Sequence, residues 1–97
     1  MFQAELAARE LGSLTLADAL RLTILYADGE PEKFSKAAAR WHARLVAETG
    51  LDLLEAQLAL AALMLLQTTE RERSFRILGD LARRRGCDLS SALELRR

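Results

Sequence analysis

Between Leu51 and Leu66 the chain reads LDLLEAQLALAALMLL, and beyond Gln57 no polar side chain interrupts it. Elsewhere apolar residues recur at three- and four-residue intervals, the spacing that places them on one face of a helix. No segment sustains the apolar–polar alternation of a strand, and no hairpin dipeptide occurs. This pattern predicts an all-α fold, a compact bundle of five to six helices arranged as helical hairpins in a single domain. The helices are expected at about 2–11, 16–28, 31–49, 53–67, 70–85 and 89–96.

The boundaries follow from end chemistry. Gly12-Ser13 stops the first stretch, and Thr15 with Asp18 makes a capping box for the next helix. Pro31 falls in the first turn of the third, flanked by Glu30 and Glu32 at the positive end of the helix dipole. Gly50 supplies a left-handed stop. Asp52 with Glu55 repeats the box ahead of the apolar helix, and Thr69 with Glu72 makes a third. Gly86 closes that helix, and Asp88 or Ser90 starts the last. The segments LTLADALRL, LDLLEAQLAL and CDLSSALEL begin at Leu14, Leu51 and Cys87, spacings of 37 and 36 residues. That period holds one helix pair and suggests two hairpins with the start of a third, although capping chemistry alone imposes a similar pattern.

Projected at 100° per residue, Phe34, Ala38, Trp41 and Leu45 form one stripe, and Phe75, Leu78, Leu81 and Ala82 another. By contrast, 16–27 and 53–66 are apolar nearly all round. A chain of this size can wrap one such helix with its own elements, but not easily two. The segment 53–66 is therefore expected at the centre of the bundle, with one side left for a partner. Leu54, Leu58 and Leu65 are the expected interface residues, with Trp41, first of all a core residue, as a further candidate anchor, and a two-fold homodimer is the commonest way to cover them.

Composition narrows the class. The 97 residues are 51% hydrophobic and carry 14 basic and 14 acidic side chains, so no net field draws in nucleic acid or anionic lipid. The segment from Arg71 to Arg97 is locally basic, with eight arginines against four acids. One cysteine, Cys87, excludes an intramolecular disulfide. No signal-peptide pattern opens the sequence, and its longest apolar run is about half of the roughly 20 residues that a membrane span needs. These features predict a soluble, cytoplasmic chain without membrane association.

Few residues invite chemistry. One His and one Cys cannot form a His/Cys metal set, and no nucleophile elbow, phosphate-binding glycine loop or HExxH motif is present. No cofactor, metal or catalytic activity is expected. His42 lies at the edge of the apolar stripe, a position more typical of a structural histidine than of a ligand. Glu48 projects onto that stripe one turn after Arg44. Arg44 can pair with Glu48, and an inward-facing ion pair of this kind is more often a specificity device or part of an interface than catalytic. Cys87 precedes the last helix closely enough for its N-terminus to favour a thiolate, although a small core residue is the plainer reading.

Two resemblances bear on function. AAARWHARLVAE followed by LDLLEAQLALAAL resembles a group of small uncharacterised helical proteins of actinobacteria that share an RWHAR stretch and an EAQLALAAL helix. This likeness implies a compact helical domain, brings no activity, and rests on Arg40, Trp41, His42, Arg44, Glu55 and Gln57. It further implies a buried polar link of Arg44 with Glu48, or with Glu55 on the next helix, at the helix junction. DLARRRGCDLSSALELRR, from Asp80 to Arg97, resembles a helix-turn-helix with Ala82, Gly86, Cys87, Ala92 and Leu95 at packing positions. On that resemblance Ser90, Ser91, Leu93 and Glu94 would face the major groove, and Arg83, Arg84, Arg96 and Arg97 would bind phosphates. Arg85 departs from the motif, where an apolar residue is preferred. The leading functional expectation is thus a helical interaction module, self-associating or adaptor, bound to protein. A DNA-binding regulator using residues 80–97 is the alternative, and a small-molecule site near Trp41 and His42 ranks third.

Overall fold

A computed structural model describes residues 14–93. The expected helix at 2–11 and the end of the last helix, with Glu94, Leu95, Arg96 and Arg97, lie outside the described residues. Four helices of three or more turns run Leu16–Gly29 (α1), Pro31–Thr49 (α2), Leu53–Met64 (α3) and Arg71–Arg84 (α4). A 3-10 turn, Leu65–Gln67, follows α3, and a single helical turn, Ser90–Leu93 (α5), follows α4. No strand occurs among the described residues. The all-α expectation is met, with four full helices and one further turn described where five to six helices are expected.

The ends of these helices are set by local chemistry, though not always in the expected way. Thr15 Oγ1 accepts the backbone N–H of Asp18 at 3.0 Å. The reciprocal half of that box does not form, because the aspartate side chain is shorter than the glutamate that the motif prefers. Pro31 opens α2 at its first position, and Gly50 ends it with φ 71°, where its N–H reaches the Val46 carbonyl. Asp52 and Glu55 complete a full capping box on α3. After α4, Gly86 (φ 79°) donates to Arg83 O and Cys87 donates to Ala82 O, the paired bonds of a Schellman motif.

One expected box is absent. Thr69 and Glu72 do not cap α4, which begins one residue later, after Glu70, with no side-chain cap bond. Thr68 shapes this turn instead, donating from Oγ1 to Leu65 O and accepting the Glu70 N–H. The Arg71 guanidinium donates from both Nε and Nη2 to Leu66 O, and Nη2 also pairs with Asp28 on α1 at 2.7 Å. The continuous helix expected over 53–67 therefore tightens at Leu65, where Arg71 holds the carbonyl of Leu66.

Sequential helices pack as hairpins, α1 on α2 and α3 on α4, while α1 also contacts α5 and the 3-10 turn. The core gathers Leu16, Leu20 and Ile24 of α1, Phe34, Trp41 and Leu45 of α2, Leu63 and Leu66 after the second hairpin starts, and Leu78 and Leu81 of α4. Leu89 and Ala92 close it. The large core side chains thus come mainly from α1, α2 and α4, and α3 lies at the periphery. The expectation that segment 53–66 would occupy the middle of the bundle is overturned. Its buried positions in α3 are Ala59, Ala62 and Leu63, and most of its large side chains point outward.

Candidate interaction surface

The orientation of α3 is decided at its first turn. Asp52 Oδ1 accepts the Glu55 N–H at 2.8 Å, and Glu55 Oε1 accepts the Asp52 N–H at 3.1 Å. Glu55 is the one charged residue of α3, and its carboxylate also accepts from Arg85, beyond the end of α4. The Asp52 N–H, followed by the Arg85 guanidinium, holds the Glu55 carboxyl below its ordinary range. The only charge on the helix is thereby committed to the side that faces α4. His42 secures the same side: its Nε2 lies 2.7 Å from Ala56 O and must donate, because a carbonyl only accepts.

With that side fixed, small residues face inward and large ones outward. Ala59 and Ala62 are sealed against the core, alongside Leu63 and, after the helix, Leu66. On the other side Leu53 is 76% exposed, Leu54 75%, Leu58 46%, Met64 46% and Leu60 43%. Together with exposed Ala61 and Gln57, these residues span about 160° of the helix circumference. Gln57 is the only polar side chain on this face, and none is charged. The usual arrangement of a surface helix, polar outside and apolar inside, is inverted at the level of size and absent at the level of polarity.

Of the interface residues expected from sequence, Leu54 and Leu58 lie on this face and Leu65 is half-buried at its end. Trp41 is not part of it. Its ring is 2% exposed and its Nε1 donates to Leu16 O at 2.8 Å, so it serves the α1–α2 hairpin and cannot reach a partner without opening the core. Leu53, Leu60 and Met64 join the face without having been singled out. Their signal was the run Leu53, Gln57, Leu60, Met64, one stripe at helical spacing, set opposite Ala59 and Ala62.

The expected inward polar link also changes. Arg44 Nε does pair with Glu48 at 2.8 Å, but the side chains are 33% and 47% exposed, so this is a surface pair within α2. Arg44 does not pair with Glu55, whose partner is Arg85. Trp41 and His42 engage different neighbours, α1 and α3 respectively. Cys87 is half-buried against the core, and burial, then Glu48 and Asp88, push its thiol pKa up, in keeping with the plainer reading of a small packing residue rather than a thiolate favoured by the helix start. Among the described residues no three His, Cys, Asp or Glu are grouped to hold a metal ion, and no helix is long and apolar enough to cross a membrane.

In the segment resembling a helix-turn-helix, Ala82 and Ala92 are buried and Gly86 makes the turn. Arg83 is paired with Asp80, Arg85 with Glu55, and Arg84 is exposed. Ser90 is exposed, and its N–H is taken by Asp88 Oδ1 at 2.9 Å. Ser91 lies in α5, with its side chain outside the description, as are Arg96 and Arg97. Leu93, expected to face a groove, instead packs toward α4, where a Cβ placed on Gly79 would stand 3.2 Å from Leu93 Cδ1. Comparison with models of known protein families, with curated proteins and with solved structures finds no match to this chain.

Proposed function

We propose that the chain is a helical protein-interaction module, without catalytic activity, whose binding surface is the outer face of α3. One observation carries this reading: five large apolar side chains lie open on one helix whose only charge is turned inward. Fully burying a leucine or methionine side chain stabilises by about 1.5–3 kcal/mol, a gain that the isolated chain leaves mostly unrealised at Leu53 and Leu54 and about half unrealised at Leu58, Leu60 and Met64. Depletion of charge with leucine and methionine at the centre is also the composition of interface cores rather than of ordinary surface. The DNA-binding alternative draws less support, because Arg83 and Arg85 already have carboxylate partners.

Chemical denaturation of a Leu54→Ser, Leu58→Ser double variant over a hundredfold range of concentration tests the reading. The expected result is little or no loss of stability at the dilute end, with any loss confined to concentrations where wild type is associated. A loss of about 2–5 kcal/mol per site at every concentration, the size found for core leucines, would mean that the chain covers this face itself and would overturn the proposal.

A further inference from the structure

The interaction reading leaves the partner open, and the order of residues on the α3 face narrows it. Taken about Ala59, the outward positions are symmetric in sequence. Leu58 matches Leu60, Gln57 matches Ala61, Leu54 matches Met64, and Leu53 matches half-buried Leu65. Two identical helices that cross antiparallel on a two-fold axis at the level of residue 59 bring just these pairs to the same height. The axis maps each flank of the face onto itself, so on one flank Leu58 meets its own counterpart and Leu54 meets Leu65, and on the other Leu60 meets its counterpart and Leu53 meets Met64. On the midline, the long Gln57 side chain of each copy meets the small Ala61 of the other, so the bulk of one fills the space left by its counterpart. A parallel pair would instead set Gln57 against Gln57 and leave a gap between two copies of Ala61.

Resting on the interaction reading, we propose that the α3 face is occupied by a second copy of this chain, docked antiparallel through α3 on a two-fold axis near Ala59. The surface available fits this occupant. At the exposures observed, the five large side chains present on the order of 500 Å² of apolar area, at the upper end of what a monomer leaves open. That is well over half of the roughly 800 Å² per partner that a stable interface buries, with the ends of the helix left to supply the rim. An isologous contact must complement itself, and a face without charge meets that requirement with no like-charge repulsion. Antiparallel crossing also sets the positive end of each α3 dipole beside the negative end of the other.

Sedimentation of the full chain and cysteine cross-linking together test the inference. In a Cys87→Ser background, wild-type α3 is expected to sediment at twice the chain mass, and Leu58→Glu at the single mass. Under mild oxidation a mixture of Gln57→Cys and Ala61→Cys chains is expected to form a linked dimer several-fold faster than either variant alone, since only the mixed pair meets at one height. Faster linking of Gln57→Cys to itself would overturn the antiparallel arrangement. A chain that stays monomeric at several hundred micromolar would overturn self-pairing altogether. If the Leu54→Ser, Leu58→Ser variant nevertheless keeps its stability, the interaction reading survives that failure and the partner is a different protein.

Discussion

Arg85 donates to Glu55 across thirty positions of sequence, and this bond ties the turn after α4 to the first turn of α3. It holds the helix by its only charge, so that the remainder of α3 is free of charged groups on the side facing away. The same carboxylate caps the Asp52 N–H, and both partners favour its ionised form. Its folded pKa therefore lies below the unfolded value of about 4.3. The sign follows directly: the contribution is fully present above the unfolded pKa and is lost as pH falls through the folded one. Asp88 acts in the same direction, lowered chiefly by the Ser90 N–H. Denaturation midpoints should hold from neutrality to about pH 5 and decline below about pH 4.3. Glu55→Gln should be less stable at neutral pH with a flatter acid limb; an unchanged acid limb would show that Glu55 does not contribute it.

The two sides of α3 should respond oppositely to truncation. Leu63→Ala removes a fully buried side chain and is expected to cost about 2–5 kcal/mol by chemical denaturation. Leu53→Ala, at 76% exposure, should stay within about 0.5 kcal/mol in the monomer. Equal losses at the two sites would contradict the observed orientation of the helix.

Trp41 serves the α1–α2 hairpin through one directional bond as well as through its bulk. Trp41→Phe keeps an aromatic ring but removes the donor to Leu16 O and leaves a void, for an expected loss of about 2 kcal/mol. The native indole should emit at short wavelength and shift red on unfolding. Emission already red-shifted in the native state would place the ring in solvent.

Ser74 offers the opposite case. Its hydroxyl is fully buried in α4 and has no hydrogen-bond partner among the described residues. Ser74→Ala removes that unsatisfied group and gains helix propensity, so thermal unfolding should show a gain of roughly 0.5–1 kcal/mol. A clear loss of stability would show that the hydroxyl is satisfied in solution.

Much of this was legible in the sequence because it is local chemistry. Thr15, Gly50, the Asp52–Glu55 box and Gly86 act within a few residues of themselves, and all four sit where their types predict. The Thr69–Glu72 box was misread because the tight turn at Leu65, anchored by Arg71 from the following helix, sets where α4 can start. The outward side of α3 was legible only in part. A helix apolar all round carries no periodic signal of its own inner face. That choice is made by His42 of α2 and by Arg85 of the turn after α4, both distant in sequence, and by the close approach that Ala59 and Ala62 permit. Trp41 was legible as a core residue from its place on the apolar stripe of α2, and its bond to the Leu16 carbonyl excludes the secondary reading as an interface anchor.

The contact of α5 with α1 has a consequence for the order of folding. The two hairpins assemble from near neighbours in sequence and need little chain closure, which makes them fast. The α1–α5 contact must instead close a loop of about seventy residues before Leu89 and Ala92 can enter the core. On the ribosome α1 emerges before α5, so the part of its apolar surface that Leu89 and Ala92 cover has no native partner until those residues have been made.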